Sequence, residues 1–300
     1  FALRGLVAAP FTPFREDGSL WIGQIQHLAD KLAADRVSGA FVCGTTGEGT
    51  SLTDEERRQV TEAWVRAAQG RFKVIVHAGH LSGAASAALA AHAQASGADA
   101  VSSCGPFFFP IRTTAQVVAT LKPVAAACPR LPFYFYHIPQ LTHLGHLGMI
   151  DLLKESVSEI PNLHGIKYTH NDLEEYARLL ALEGSRLDFP FGRDEVLLSA
   201  LAIGARGAIG STFNFMPSLF LDLMAAFDRG DLAAARSLQA RAAEIVRVMR
   251  AHGGLGAMKA TMKLLGLDCG PVRAPLRNLA PADVASLARA LKALDLPVVA

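Results

Sequence analysis

Short apolar runs alternate with amphipathic segments at near-regular spacing along most of the chain. The apolar runs fall at 5–9, 39–43, 73–77, 100–103, 133–136, 163–167, 188–191 and 207–210, each of strand length. Between them, 22–35, 54–69, 83–96, 114–127, 147–159, 172–182 and 194–203 carry apolar residues at helical spacing. Several of these segments open on a capping residue, as in Thr53-Asp54-Glu55-Glu56 and Asn171-Asp172-Leu173-Glu174. Strands that alternate with helices pair in parallel through right-handed crossovers. Eight such units in about two hundred residues predict an α/β fold closed as a (β/α)8 TIM barrel, with a doubly wound open sheet as the alternative. Beyond the last strand, 218–229, 231–252, 255–265 and 281–294 are helical and rich in Ala and Leu, which predicts a C-terminal helical extension. No Pro/Ser-rich linker separates the barrel (1–217) from the extension (218–300), so the two are read as one structural unit.

Composition narrows the function. A chain of 300 residues, 51% hydrophobic and 19% charged, can bury a sizeable core. Its 29 basic and 27 acidic residues are dispersed, leaving no stripe for nucleic acid and no polybasic run for a membrane surface. The expected partner is a small molecule. Cys43, Cys104, Cys128 and Cys269 stand singly without C-x-x-C spacing, which fits a reducing cytoplasm. Neither a secretory leader nor an apolar stretch of membrane-spanning length is apparent, so a soluble protein is expected.

In a barrel, chemistry gathers where strands end. The strand Leu163-His164-Gly165-Ile166-Lys167 ends on one of only eight lysines in the chain. Burial disfavours an ammonium, so Lys167 is a candidate nucleophile toward carbonyls; a lysine leaving the strand to snorkel to water is the bland alternative. Strand parity puts Tyr134 and Tyr136 on one face and Gly165 and Lys167 on another, converging on one cavity. Gly44-Thr45-Thr46-Gly47 frees backbone N–H groups, beside two hydroxyls, to form a nest for an anion; it lacks the ending of a P-loop. Tyr136 can move protons beside the amine, or simply pack as a buried aromatic. Asp194 and Glu195 can accept from sugar hydroxyls or complement a helix dipole.

Gly44-Thr45-Thr46-Gly47-Glu48, Tyr136-His137-Ile138-Pro139, Gly165-Ile166-Lys167, Gly192-Arg193-Asp194-Glu195 and Gly210-Ser211-Thr212 follow one another in order and spacing that resemble the dihydrodipicolinate synthase / N-acetylneuraminate lyase family of pyruvate-dependent class I aldolases. The segments 41–49, 56–60 and 131–139 are most similar to its N-acetylneuraminate lyase branch. The resemblance implies that Lys167 forms a Schiff base with a 2-keto acid, that Thr45 and Thr46 bind its carboxylate, and that Tyr136 relays protons. It places Thr169, Gly192, Asp194, Glu195, Gly210 and Ser211 along the sugar chain, needs no metal or other cofactor, and implies a homotetramer acting on sialic acid.

Three departures qualify the match. Leu141 stands where dihydrodipicolinate synthases usually carry an arginine, which counts against lysine biosynthesis. Pro106-Phe107-Phe108-Phe109 lacks a tyrosine that many members lend to a neighbouring subunit. Arg193 adds a cation that can favour 2-keto-3-deoxy sugar acids instead. A zinc-dependent aldolase is disfavoured, because His77-x-x-His80 and His143-x-x-His146 have no carboxylate or thiolate nearby to complete a site. A non-catalytic sugar-acid-binding barrel remains the alternative from another class.

Overall fold

The computed structural model describes residues 1–182 and 187–298. Seven strands form one parallel sheet: β1 (Gly5–Ala8), β2 (Gly39–Val42), β3 (Lys73–His77), β4 (Ala100–Cys104), β5 (Phe133–His137), β6 (Leu163–Tyr168) and β7 (Gly207–Gly210). The first six neighbour one another in chain order and β7 pairs with β1. A doubly wound sheet would reverse direction part-way, so that alternative fails.

The apolar run at 188–191, expected as a regular strand, is instead a set of isolated bridges. Gly165 pairs with Asp188, Tyr168 with Phe191 and Phe191 with Ala208, all parallel. Pro190 explains the interruption, because it has no N–H to continue a ladder. The bonds that remain still join the sheet's two edges: Tyr168 N donates to Pro190 O (2.9 Å) and Ile209 N to Phe191 O (2.8 Å).

Helices follow the strands. They are α1 (Gln24–Ala34), α2 (Asp54–Ala68), α3 (Gly83–Ser96), α4 (Thr114–Ala126), α5 (Pro139–Thr142), α6 (Met149–Glu159), α7 (Leu173–Leu180) and α8 (Leu197–Ala202). Helix α2 starts on a capping box in which Thr53 Oγ1 accepts from Glu56 N while the Glu56 carboxylate accepts from Thr53 N. The single turn α5 has no counterpart in the apolar pattern; it follows from Pro139, whose fixed φ suits a first helical position. The segment expected as one helix over 194–203 opens as a 3-10 turn (Asp194–Val196), with the Asp194 side chain turned to Thr212 rather than to its own helix.

After β7 come α9 (Pro217–Asp228), α10 (Leu232–Ala251), α11 (Leu255–Leu264) and α12 (Pro281–Lys292). The last two residues of the expected 218–300 extension lie outside the described residues. Gln239 on α10 fixes it to the sheet's top: its Nε2 donates to Asp194 O (3.2 Å) and its Oε1 accepts from Leu198 N (2.7 Å). Two apolar clusters result. The larger contains Trp64, Phe133 and Ile166 with the inner helix faces, and a smaller one joins Val7, Phe41, Ile75, Tyr134, Tyr136 and Ile209 on the face that carries Lys167. No described helix is long and apolar enough to cross a membrane.

Candidate active site

Register decides the centre of the site. Tyr136 on β5 pairs directly with Lys167 on β6, and Tyr134 with Gly165, as alternation along the strands requires. Lys167 is 4% exposed. Its Nζ lies 3.8 Å from the centroid of the Phe41 ring and 4.0 Å from that of Tyr136. Burial pushes the ammonium down to about 7, with the Asp194 carboxylate pulling weakly the other way. A substantial fraction is therefore neutral amine near neutrality.

The Tyr136 phenol is pushed up to about 12 by burial, opposed by a 3.5 Å contact with Thr45 Oγ1. It therefore stays protonated at any working pH. Thr45 and Thr46 sit in a turn bracketed by Cys43 and Glu48, both with left-handed backbones (φ 57° and 53°). Glu48 N donates back to Thr45 O (3.1 Å) and Gly49 N to Gly44 O (3.1 Å). The Thr45 and Thr46 N–H groups have no protein acceptor among the described residues, as an anion nest requires.

Asp194 is buried. Its Oδ2 accepts from Thr212 N (3.0 Å) and Thr212 Oγ1 (2.6 Å), while Oδ1 takes no hydrogen bond from the described residues. Burial raises this carboxyl to about 6, against those hydrogen bonds. Glu195 is held by two guanidiniums: Arg193 donates through Nε (3.1 Å) and Nη2 (2.6 Å), and Arg250 of α10 through Nη2. Burial pushes the Glu195 carboxyl up, but the arginines outweigh it and hold it below the usual range.

Gly192 and Gly210 contribute by lacking a side chain. A methyl on Gly192 would stand 1.9 Å from Thr169 Oγ1, and one on Gly210 would stand 2.2 Å from Asp194 Oδ1. These glycines let Thr169 and Asp194 close on the cavity floor.

The cavity has two lobes. A polar lobe of about 510 Å³ holds Lys167, Thr169, Asp194 and Glu195, and an apolar lobe of about 560 Å³ holds His77, Phe107, Leu141 and Leu276. Thr45, Thr46, Tyr136 and Ser211 line both. All the residues singled out at the strand ends thus lie in or directly beside one site. His77, at the end of β3, is neutral there: burial, then the nearby Arg57 and Lys167 charges, push its pKa well below the usual value.

Other residues were not legible as part of the site. Arg250 is one arginine among several on an extension helix, and Gln140 follows the Tyr136–Pro139 motif without standing out; Thr212 was part of a quoted motif, but its hold on Asp194 was not legible. With its amide oriented to satisfy both ends, Gln140 donates to Thr169 O (3.2 Å) and accepts from Arg193 Nη1 (2.9 Å). The Glu56-Arg57 pair proves structural: Glu56 pairs with Arg273 (2.5 Å), and Arg57 donates to the carbonyls of His77 (2.5 Å) and Gly79 (2.9 Å). Among the described residues no group of three or more His, Cys, Asp or Glu side chains converges that could hold a metal.

The family model of the dihydrodipicolinate synthetase family matches residues 2–294. The chain belongs to that family. Its fold is the TIM barrel, in agreement with the parallel sheet and its flanking helices. Within the family, the chain is 40% identical over 300 residues to the N-acetylneuraminate lyase of Mus musculus, covering 98% of this chain and 93% of that protein. It is 41% identical over 278 residues to N-acetylneuraminate lyase A of Xenopus laevis, covering 91% and 90%. Among solved structures, the Proteus mirabilis N-acetylneuraminate lyase superposes with a TM-score of 0.94 at 39% identity, over 99% of this chain and 100% of that one.

Proposed function

We propose that the protein is a Schiff-base aldolase that cleaves N-acetylneuraminate to pyruvate and N-acetylmannosamine. The observation that carries this reading is the buried Lys167 amine, brought down to about 7 opposite Tyr136. The lyase relatives at about 40% identity direct the choice of substrate.

The open-chain substrate sets its carboxylate on the Thr45 and Thr46 N–H and hydroxyl groups, which brings C2 to Lys167. The neutral amine attacks C2, Tyr136 passes a proton to the departing hydroxyl, and water leaves to give a protonated imine. That imine is an electron sink. As the C4 hydroxyl loses its proton, the C3–C4 bond breaks, its electron pair moves toward the iminium, and N-acetylmannosamine departs as the aldehyde. The remaining enamine takes a proton at C3, and water releases pyruvate from Lys167. The balance closes without a metal or redox cofactor. Asp194, Glu195, Thr169 and Ser211 hold the sugar chain, with Gly192 and Gly210 giving them room.

Pyruvate release from N-acetylneuraminate, N-glycolylneuraminate and 2-keto-3-deoxygluconate, compared by kcat/KM, tests the assignment. Highest efficiency on a sialic acid supports it. Highest efficiency on 2-keto-3-deoxygluconate favours the second reading, an aldolase for 2-keto-3-deoxy sugar acids, for which Arg193 at the sugar end of the site speaks.

We further read residues 1–217 as a (β/α)8 barrel, with 188–191 as its broken seventh stave, and 218–300 as an extension continuous with it. A homotetramer in a reducing cytoplasm completes the proposal. Phe108 and Phe109, 73% and 74% exposed, support subunit association, because adjoining aromatics are costly to leave in water. A solution mass of four times 31.8 kDa is the expected result.

A further inference from the structure

The rim of the polar lobe is richer in donors than a neutral polyol needs. Arg193 uses Nε and Nη2 on Glu195 and Nη1 on Gln140, which leaves two of its five N–H groups; Arg250 uses one on Glu195 and keeps four. Both arginines share a single carboxylate oxygen, Glu195 Oε1. The Asp194 charge lies deeper and is bound to Thr212, so among the described residues Glu195 is the carboxylate on which these two guanidiniums close.

Position adds to the count. Arg193 precedes Asp194 at the strand end, and its side chain is 17% exposed, held in place by Glu195 and Gln140. Arg250 arrives from α10, on the far side of Glu195, and its side chain is 60% exposed. The pair thus combines one fixed guanidinium with one that has free donors and room to turn. Guanidinium forks match the oxygens of phosphate and carboxylate groups bidentately, and a charged acceptor gains more from them than a hydroxyl does.

We propose that Arg193 and Arg250 form a subsite for an anionic group at the far end of the substrate chain, a phosphate monoester or a carboxylate, so that a 2-keto acid charged at both ends is a better substrate than its neutral-ended counterpart. The proposal rests on the aldolase reading of the same site. The first anion docks at Thr45 and Thr46, the keto carbon at Lys167, the chain hydroxyls at Asp194 and Glu195, and the second anion at the rim. Breaking the C3–C4 bond then yields pyruvate and a phosphorylated or acidic aldehyde, the second anion leaving with the aldehyde fragment.

The test compares kcat/KM for N-acetylneuraminate, its 9-phosphate ester and its C9-oxidised dicarboxylate, in wild type and in Arg250→Gln. Wild type is expected to prefer an anionic-ended chain by about tenfold. Which one leads tells phosphate from carboxylate. That preference should shrink as salt screens the exposed guanidinium, and the ratio of anionic- to neutral-ended kcat/KM should fall about tenfold in Arg250→Gln. Equal efficiency on all three chains, or an equal loss on all three in the variant, overturns the subsite while the lyase assignment stands. Failure to cleave any of them overturns the lyase assignment and the subsite with it.

Discussion

Glu48 and Lys259 form an ion pair of 2.8 Å with both side chains almost wholly buried. Glu48 ends the turn that carries Thr45 and Thr46, and Lys259 lies on α11, so the pair ties the proposed carboxylate nest to the C-terminal helices. Lys259 Nζ also donates to Thr12 O (2.8 Å) and Pro271 O (2.7 Å), and Glu48 Oε2 accepts from Arg273 N (2.9 Å). Removing one partner leaves an uncompensated buried charge, so Lys259→Met should cost about 3–5 kcal/mol in urea unfolding. The double variant Lys259→Met with Glu48→Gln should recover part of that loss. A double variant less stable than Lys259→Met would show that the charges are not what matters.

Lys167 governs the pH dependence. Its folded-state pKa is depressed from the ordinary 10.5 to about 7, and the attacking form is the neutral amine. Below pH about 7 the amine is protonated, so kcat/KM should fall about tenfold per pH unit as pH drops, and level off above it. Lys167→Ala and Lys167→Arg should abolish pyruvate trapping by borohydride, read as a mass increment. Trapping that survives in Lys167→Ala would mean that another amine is the nucleophile.

The parallel α/β organisation was legible because buried parallel strands read as plain apolar runs and the helices between them keep their own period. The break at 188–191 was less so: an apolar run with Pro190 inside it is a strand by pattern but cannot donate throughout its ladder. Lys167 and Tyr136 stood out because each is a reactive group at the end of a run, and strand parity alone placed both on one cavity. Arg250 and Lys259 did not, since a basic residue on an Ala-rich helix has the same sequence context whether it meets solvent, Glu195 or Glu48. Only the packing of α10 and α11 tells them apart. Gly192 and Gly210 were legible as positions but not as causes, because the space they leave belongs to Thr169 and Asp194.

Tyr136→Phe keeps the ring over Lys167 and removes only the hydroxyl. If the phenol moves protons, kcat should fall by roughly two to four orders of magnitude, with Schiff-base formation slowed rather than lost. A near-normal kcat, measured by pyruvate release, would reduce Tyr136 to an aromatic wall for the amine.

Gly210→Ala tests the floor of the sugar site. The added methyl, 2.2 Å from Asp194 Oδ1, must push the carboxylate off Thr212 or move β7. We expect pyruvate trapping at Lys167 to persist while KM for N-acetylneuraminate rises. Unchanged KM would mean that Asp194 does not contact the sugar chain.

Asp194 and Glu195 divide one task unequally. Asp194 offers Oδ1 from a fixed position on Thr212, whereas Glu195 Oε1 is already occupied by Arg193 and Arg250, so the direct loss of a substrate hydrogen bond should be larger at Asp194. A buried hydrogen bond to a charged acceptor contributes roughly 1.5–3 kcal/mol, so Asp194→Asn should lower kcat/KM on N-acetylneuraminate about ten- to a hundredfold. Glu195→Gln should fall toward the lower end of that range, because it also releases the two guanidiniums it holds and lets them reach acceptors on the substrate. Pyruvate trapping, which needs neither carboxylate, should survive in both. If both variants stayed near wild type on sialic acid while Arg193→Ala destroyed activity on 2-keto-3-deoxy sugar acids alone, the lyase assignment would be wrong and the second reading right.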